Sequence, residues 1–225
     1  MRHTIKLSMF VAFTSFAPAV SAIVLPFTED FDANSANWFN AAVTAPVDWS
    51  AAGGPDGGAY ATTGFNFQFT AANDTPVLFR AQDEFNSSGG AFEGDWITNG
   101  ITEFSFAVRH NAPAPMTFFT RFAGPANFPG AVAIGFIPVF PNVWTTITIA
   151  IDPFNPQFIT FEGQTFEAAF SNIGHLQVGV SVPEGFGGVD QAYTFDLDKP
   201  TITPAPSAAV LFGIAGVALA RRRRR

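Results

Sequence analysis

The chain has 225 residues, 48% of them apolar and 15% aromatic, with twenty-eight Phe and no Cys. This composition excludes a disordered chain and excludes disulfides, and the length suits one domain with a full core. Eighteen acidic residues oppose eleven basic ones, which excludes general affinity for nucleic-acid phosphates or anionic headgroups.

Arg2, His3 and Lys6 precede an apolar stretch over residues 7–20 that ends in Val20-Ser21-Ala22. A basic start, an apolar run and a small-residue site predict a signal peptide over 1–22, cleaved after Ala22. The working domain then covers 23–203, where only Arg80, Arg109, Arg121 and Lys199 remain to face all eighteen acids.

Within that domain the apolar pattern has a period of two. Strands are predicted near residues 25–31, 59–69 and 77–80. Phe104, Phe106 and Val108 alternate with Ser105, Ala107 and Arg109, and Met116, Phe118, Thr120 and Phe122 with Thr117, Phe119 and Arg121. Further strands are predicted over 131–139, 143–151 and 157–161, with Ile147, Ile149 and Ile151 on one face. Leu176 to Val182 and Tyr193 to Leu197 alternate in the same way. Turn clusters at 53–58, 86–90 and 183–185 separate these runs, and only 165–172 reads as a helical turn. Short alternating strands between such turns predict an all-β fold, an antiparallel sandwich or barrel.

The chain closes with Pro204-Ala205-Pro206, an uncharged run over 207–220 and five arginines. Fourteen residues of helix span ~21 Å, short of the ~30 Å core of a bilayer. The arginines belong on the cytoplasmic side. Hinge, short apolar run and basic stop predict a processing signal over 204–225 rather than a lasting transmembrane anchor. This order resembles the PEP-CTERM sorting signal, with Ala205 where the usual hinge has Glu. The resemblance implies processing by an exosortase at a site marked by Pro204, Ala205 and Pro206, with Arg221 and Arg222 opening the basic cluster. It further implies export, transient inner-membrane attachment and an association with exopolysaccharide.

A second resemblance rests on Glu29-Asp30-Phe31-Asp32, Trp38, Trp49 before the glycine-rich loop, Gly94-Asp95-Trp96, Trp144 and the closing Asp198-Lys199-Pro200-Thr201-Ile202. This order is similar to laminin IV type A domains and to the jelly-roll group of carbohydrate-binding modules. It implies a jelly-roll sandwich whose first and last strands are neighbours, with a structural calcium between them. The positions that correspond are Asp32 and Asp198. Lys199 and Pro200 stand where those modules often carry Asp or Asn followed by Val.

Asp196 lies two residues before Asp198 and so shares its face, while Asp56 and the Gly57 carbonyl add oxygens from the glycine-rich loop. Calcium takes six to eight such hard oxygens. The alternative is that these are solvated acids. Trp49, Tyr60 and Trp96 flank glycine-rich loops and are candidates for a sugar-stacking platform; the alternative is core packing, which is expected of Trp38 and Trp144.

Catalysis finds little support. His110 and His175 lie on strands without a zinc-type partner, no Ser sits in a nucleophile elbow, and Asp83-Glu84 reads as a solvated pair. The expectation is a non-catalytic, exported, polysaccharide-associated domain. A structural or adhesive surface protein without a sugar site is the alternative, and a glycoside hydrolase a more distant one.

Overall fold

The computed structural model describes residues 24–206. The proposed signal peptide, the apolar run after Pro206, Arg221 and Arg222 lie outside them. No helix among the described residues is long and apolar enough to cross a membrane.

Among the described residues, and three short 3-10 turns aside, eleven strands and one α-helix follow in chain order: β1 Phe27–Thr28, β2 Asp48–Ser50, β3 Tyr60–Asn66, β4 Val77–Gln82, β5 Ile101–His110, β6 Thr117–Ala123, β7 Gly130–Ile134, β8 Thr145–Ala150, β9 Phe158–Thr160, α1 Phe166–Phe170, β10 His175–Ser181 and β11 Ala192–Pro204. The helix is the turn expected over 165–172; Thr165 caps it by accepting from the Ala168 N–H.

Two antiparallel sheets form a jelly-roll sandwich. The first runs β2-β3-β11-β5-β8, with β1 also paired to β11; the second runs β4-β10-β6-β7-β9. The long β11 organises the first sheet. β3 pairs its first half, from Ala192 to Leu197, and β1 takes the same edge further on, at Thr201 and Ile202. First and last strands are therefore neighbours, as expected.

Alternation sets the faces. Phe104, Phe106, Val108, Ile147, Ile149, Phe195 and Leu197 of the first sheet meet Phe118, Phe122, Leu176, Val178 and Val180 of the second in one core. Each buried aromatic removes 150–250 Å² from water, so Phe supplies stability that disulfides cannot. Edge-on and tilted ring pairs link Trp96 to Phe104, Phe122 and Phe170 at 5.5–6.3 Å.

The structure corrects several sequence boundaries. β1 is two residues long, because Asp30 to Asp32 turn away and Phe31 has a positive φ. β2 carries no alternating signal and was not expected. Val143 is exposed and precedes β8. β11 continues to Pro204, whose neighbour Ala205 donates its N–H to the Gly100 carbonyl at 2.8 Å. Pro204-Ala205-Pro206 thus begins on the last residue of the last strand.

One irregularity positions the site. β11 advances three residues from Asp198 to Thr201 while β5 advances two from Ala107 to Ser105. This is a β-bulge, with Lys199 at φ +51°. A bulge adds local twist and re-aims a side chain. Here it turns Lys199 toward the segment after β1 and the glycine-rich loop.

Candidate functional site

The outer face of the first sheet carries a polar cleft. β3 contributes Tyr60 and Thr62, β5 Arg109, β11 Thr194 and Asp196, and Asn111 and Asn142 stand at the rim. The cleft encloses about 280 Å³. Period two puts these side chains outward because their neighbours Ala61, Val108, Phe195 and Leu197 fill the core.

Arg109 is the centre of the cleft. Its guanidinium carbon lies 4.6 Å from the Trp144 ring centre and 5.1 Å from that of Tyr60, and the two rings meet edge to face at 5.5 Å. Cation–π contacts of this kind are worth about 0.5–2 kcal/mol each. The Arg109 Nε and Nη2 groups each donate to Asp196 Oδ2 at 2.8 Å. Asp196 Oδ1 accepts from the Thr62 hydroxyl at 2.6 Å. Asp196 is buried, and its charge is matched on both oxygens.

The glycine-rich loop closes one side of the cleft. The Gly53 carbonyl accepts from Trp144 Nε1 at 2.9 Å and from Arg109 Nη1 at 3.3 Å. The next glycine is needed for space. A Cβ at Gly54 would stand 2.8 Å from Asp198 Oδ2 and 3.0 Å from the Gly58 carbonyl oxygen. His110 lies at the base, 1% exposed. Its Nε2 is 2.9 Å from the Val139 carbonyl, and Nδ1 has no partner among the described residues. Burial holds its pKa below the ordinary imidazole value.

The expected calcium donors separate into three groups. Asp32 is exposed and makes no ion pair among the described residues. Asp196 belongs to Arg109. Asp56 and Asp198 lie near one another, joined by Asp30, but this cluster already holds a cation. Lys199 Nζ is 2.9 Å from Asp30 Oδ1 and 2.9 Å from Asp56 Oδ2. These contacts hold the Lys199 pKa well above its usual value and, together with the Gly58 N–H, hold that of Asp56 below its own. Asp198 is 1% exposed and accepts the Lys199 backbone N–H at 2.7 Å. Burial first, and then the charges of Asp56 and Asp30, push its pKa up to about 7. The Gly57 carbonyl accepts from the Gly53 N–H inside its own turn. The residues as arranged do not fit a calcium ion, because an ammonium stands among the donors that would bind it.

The aromatic platform is also redistributed. Tyr60 is in the cleft. Trp49 pairs with Ala61 across β2 and β3 and so points to the opposite face; it is 38% exposed and donates Nε1–H to the Phe31 carbonyl. Trp96 is 1% exposed, with its Nε1–H given to the Phe92 carbonyl at 2.9 Å, and is a core residue. Trp38 is buried as expected. Trp144 is not: it sits one step before β8 on the outward parity, with its ring edge to face with that of Tyr60. The available signal was its even spacing from the exposed Thr146 and Thr148.

No family model matches the chain, and no curated protein matches it. Solved structures do. One is the CBM22-1–GH10 portion of Clostridium thermocellum xylanase 10B in complex with xylohexaose, at TM-score 0.50 and 15% identity, over 80% of this chain and 28% of that one. Others are the C-terminal family 22 carbohydrate-binding module of the same xylanase, at TM-score 0.42, 14% identity and 81% and 95% coverage, and the family 11 carbohydrate-binding module of C. thermocellum Lic26A-Cel5E, at 0.41, 13% and 82% and 97%. The chain spans about 28% of the length of the xylanase portion that it matches. What the chain shares with the xylanase portion is fold.

Proposed function

We propose that residues 23–203 form a non-catalytic polysaccharide-binding domain of an exported protein. The observation that carries this reading is the Tyr60–Arg109–Trp144 stack beside a polar cleft. Aromatic faces suit the apolar face of a pyranose, while the exposed Asn111, Asn142 and Thr194 offer donors and acceptors to its hydroxyls. Arg109 is held by Asp196 and Gly53, so the surface is set before a ligand arrives, which lowers the ordering cost of binding. Two carboxylates flanking a scissile bond are what glycoside hydrolysis needs. Among the described residues the one carboxylate lining the cleft is Asp196, and that group is paired.

The tail sequence supports sorting by an exosortase, with Pro204, Ala205 and Pro206 as the hinge. The ligand fitting that address is the extracellular polysaccharide of the cell that makes the protein. Binding to a glycan array or to isolated exopolymer tests the reading, with Trp144→Ala and Tyr60→Ala as the variants that lose it.

One observation favours a structural or adhesive role instead. Phe136, Ile137, Phe140 and Val143 are each more than half exposed within one loop, and exposed apolar groups of that kind mark contact surfaces. Retention on a cell surface without glycan binding would support that reading.

A further inference from the structure

The outer face of the second sheet carries a polar cluster that the cleft does not use. His175 opens β10 opposite Gln82, the last residue of β4. Its side chain is 4% exposed. Its Nε2 faces Glu84 Oε2 at 3.1 Å, Glu84 Oε1 at 3.2 Å and Asp83 Oδ1 at 3.4 Å. A single N–H has one good direction and serves at best two of these three oxygens. A cation centred among the donors can serve all three.

The other side of the ring indicates which nitrogen carries the proton. His175 Nδ1 lies 3.3 Å from Asn127 Oδ1. That oxygen also accepts from Arg121 Nη1 at 2.6 Å and from Gln177 Nε2 at 3.0 Å, which fixes it as the amide oxygen. The contact therefore requires a proton on Nδ1.

Gln82 supplies an independent sign. It is 7% exposed, and its Oε1 has no hydrogen-bond partner, while its Nε2 stands 3.2 Å from the same Nδ1. An amide N–H against a protonated ring nitrogen is a mismatch. Turning the amide over places Oε1 on Nδ1–H and gives the orphaned oxygen its partner. With the proton on Nδ1, the Nε2 lone pair points at two carboxylates. A cation between them relieves the repulsion of these groups. An acceptor on the far nitrogen is the outer contact that metal-bound histidines make.

We propose that His175 Nε2, Asp83 and Glu84 bind one divalent transition-metal ion, of which Zn²⁺ is the type. One imidazole with two carboxylates suits such an ion better than calcium, which prefers oxygen alone. The spacing agrees. Ligands at ~2.0–2.1 Å in tetrahedral array lie roughly 3.3–3.4 Å apart, near the observed Nε2–oxygen separations, and the three donor atoms lie within 4.8 Å of one another. The site ties the turn after β4 to the start of β10, and it is independent of the cleft reading.

Calorimetry of the full chain with ZnCl₂, and separately CaCl₂, tests the proposal, alongside ¹⁵N resonances of the histidine rings. The expected result is one Zn²⁺ per chain, a shift at His175 Nε2 with Nδ1 still protonated, and no competing calcium uptake there. Glu84→Gln changes a side chain that is 54% exposed and so leaves the fold intact; it is expected to weaken binding about tenfold or more, and His175→Ala to abolish it. Absence of zinc binding, or binding that leaves the His175 Nε2 resonance in place, would overturn the site. His175 would then be a structural residue whose ring contacts Asp83 and Glu84.

Discussion

Lys199 places its ammonium 2.9 Å from the Asp30 carboxylate, joining the bulge of β11 to the segment that follows β1. The same nitrogen reaches Asp56 in the glycine-rich loop. First strand, last strand and loop are therefore tied by a side chain at the place where the jelly-roll resemblance implies an ion. Lys199→Met keeps much of the stem and removes the charge. The variant is expected to melt roughly 2–5 °C lower, as suits pairs that are partly exposed. It is also expected to gain stability from added calcium while the parent chain does not, and thermal melts with calcium and with chelator check both arms.

Asp198 gives the fold a distinctive pH dependence. Its folded pKa, about 7 through burial, exceeds the unfolded value of ~3.9. Between these values the folded state holds a proton that the unfolded state releases. Its contribution to stability is therefore fully present below pH ~4, declines as pH rises toward 7 and is constant above. Asp198→Asn keeps the acceptor for the Lys199 N–H and removes the titration. The variant is expected to match the parent near pH 4 and exceed it by roughly 1–3 kcal/mol above pH 7. Denaturant melts of both proteins across that range measure the difference; a parallel pair of curves would remove Asp198 from the account.

Arg109→Ala is expected to be costlier than an exposed arginine would be. It leaves Asp196 buried with only the Thr62 hydroxyl and strips the cation from two aromatic rings. A loss of about 2–4 kcal/mol follows from breaking a largely buried pair on one side. The double variant Arg109→Met/Asp196→Leu is expected to recover much of that loss, since no charge is then stranded. Chemical denaturation of the single and double variants reads the difference.

The two tryptophans of the original platform separate by test. Trp96→Ala is expected to cost about 3–5 kcal/mol, because it empties a site bounded by Phe104, Phe122 and Phe170. Trp49→Ala, at a strand edge, is expected to cost far less, and neither change removes a side chain from the cleft.

The fold was legible because alternation and turn chemistry act locally. Phe104, Phe106 and Val108 alternate with Arg109 and its outward neighbours whatever lies across the sheet, and that period yields the sandwich. The site was legible only in part. Tyr60 and Asp196 could be chosen by residue type, but register decides the company they keep. Trp49 lies opposite Ala61 rather than Tyr60, and so falls on the wrong face. Trp144 could be taken for a core residue because its large apolar body suits either face.

The calcium expectation met the same limit. A bulge of one residue turns Lys199 into the cluster, and no periodic pattern announces a bulge. His175 lies 91 residues from Glu84 along the chain, and antiparallel pairing of β10 with β4 brings them together.

The central claim is that the Tyr60–Arg109–Trp144 cleft binds polysaccharide. Affinity electrophoresis of the domain through gels containing isolated exopolymer or defined β-glycans, run for the parent and for Trp144→Ala, tests it most directly. The account predicts that a glycan retards the parent and that the variant, still folded by circular dichroism, migrates freely. Equal migration of the two proteins in every glycan would contradict it.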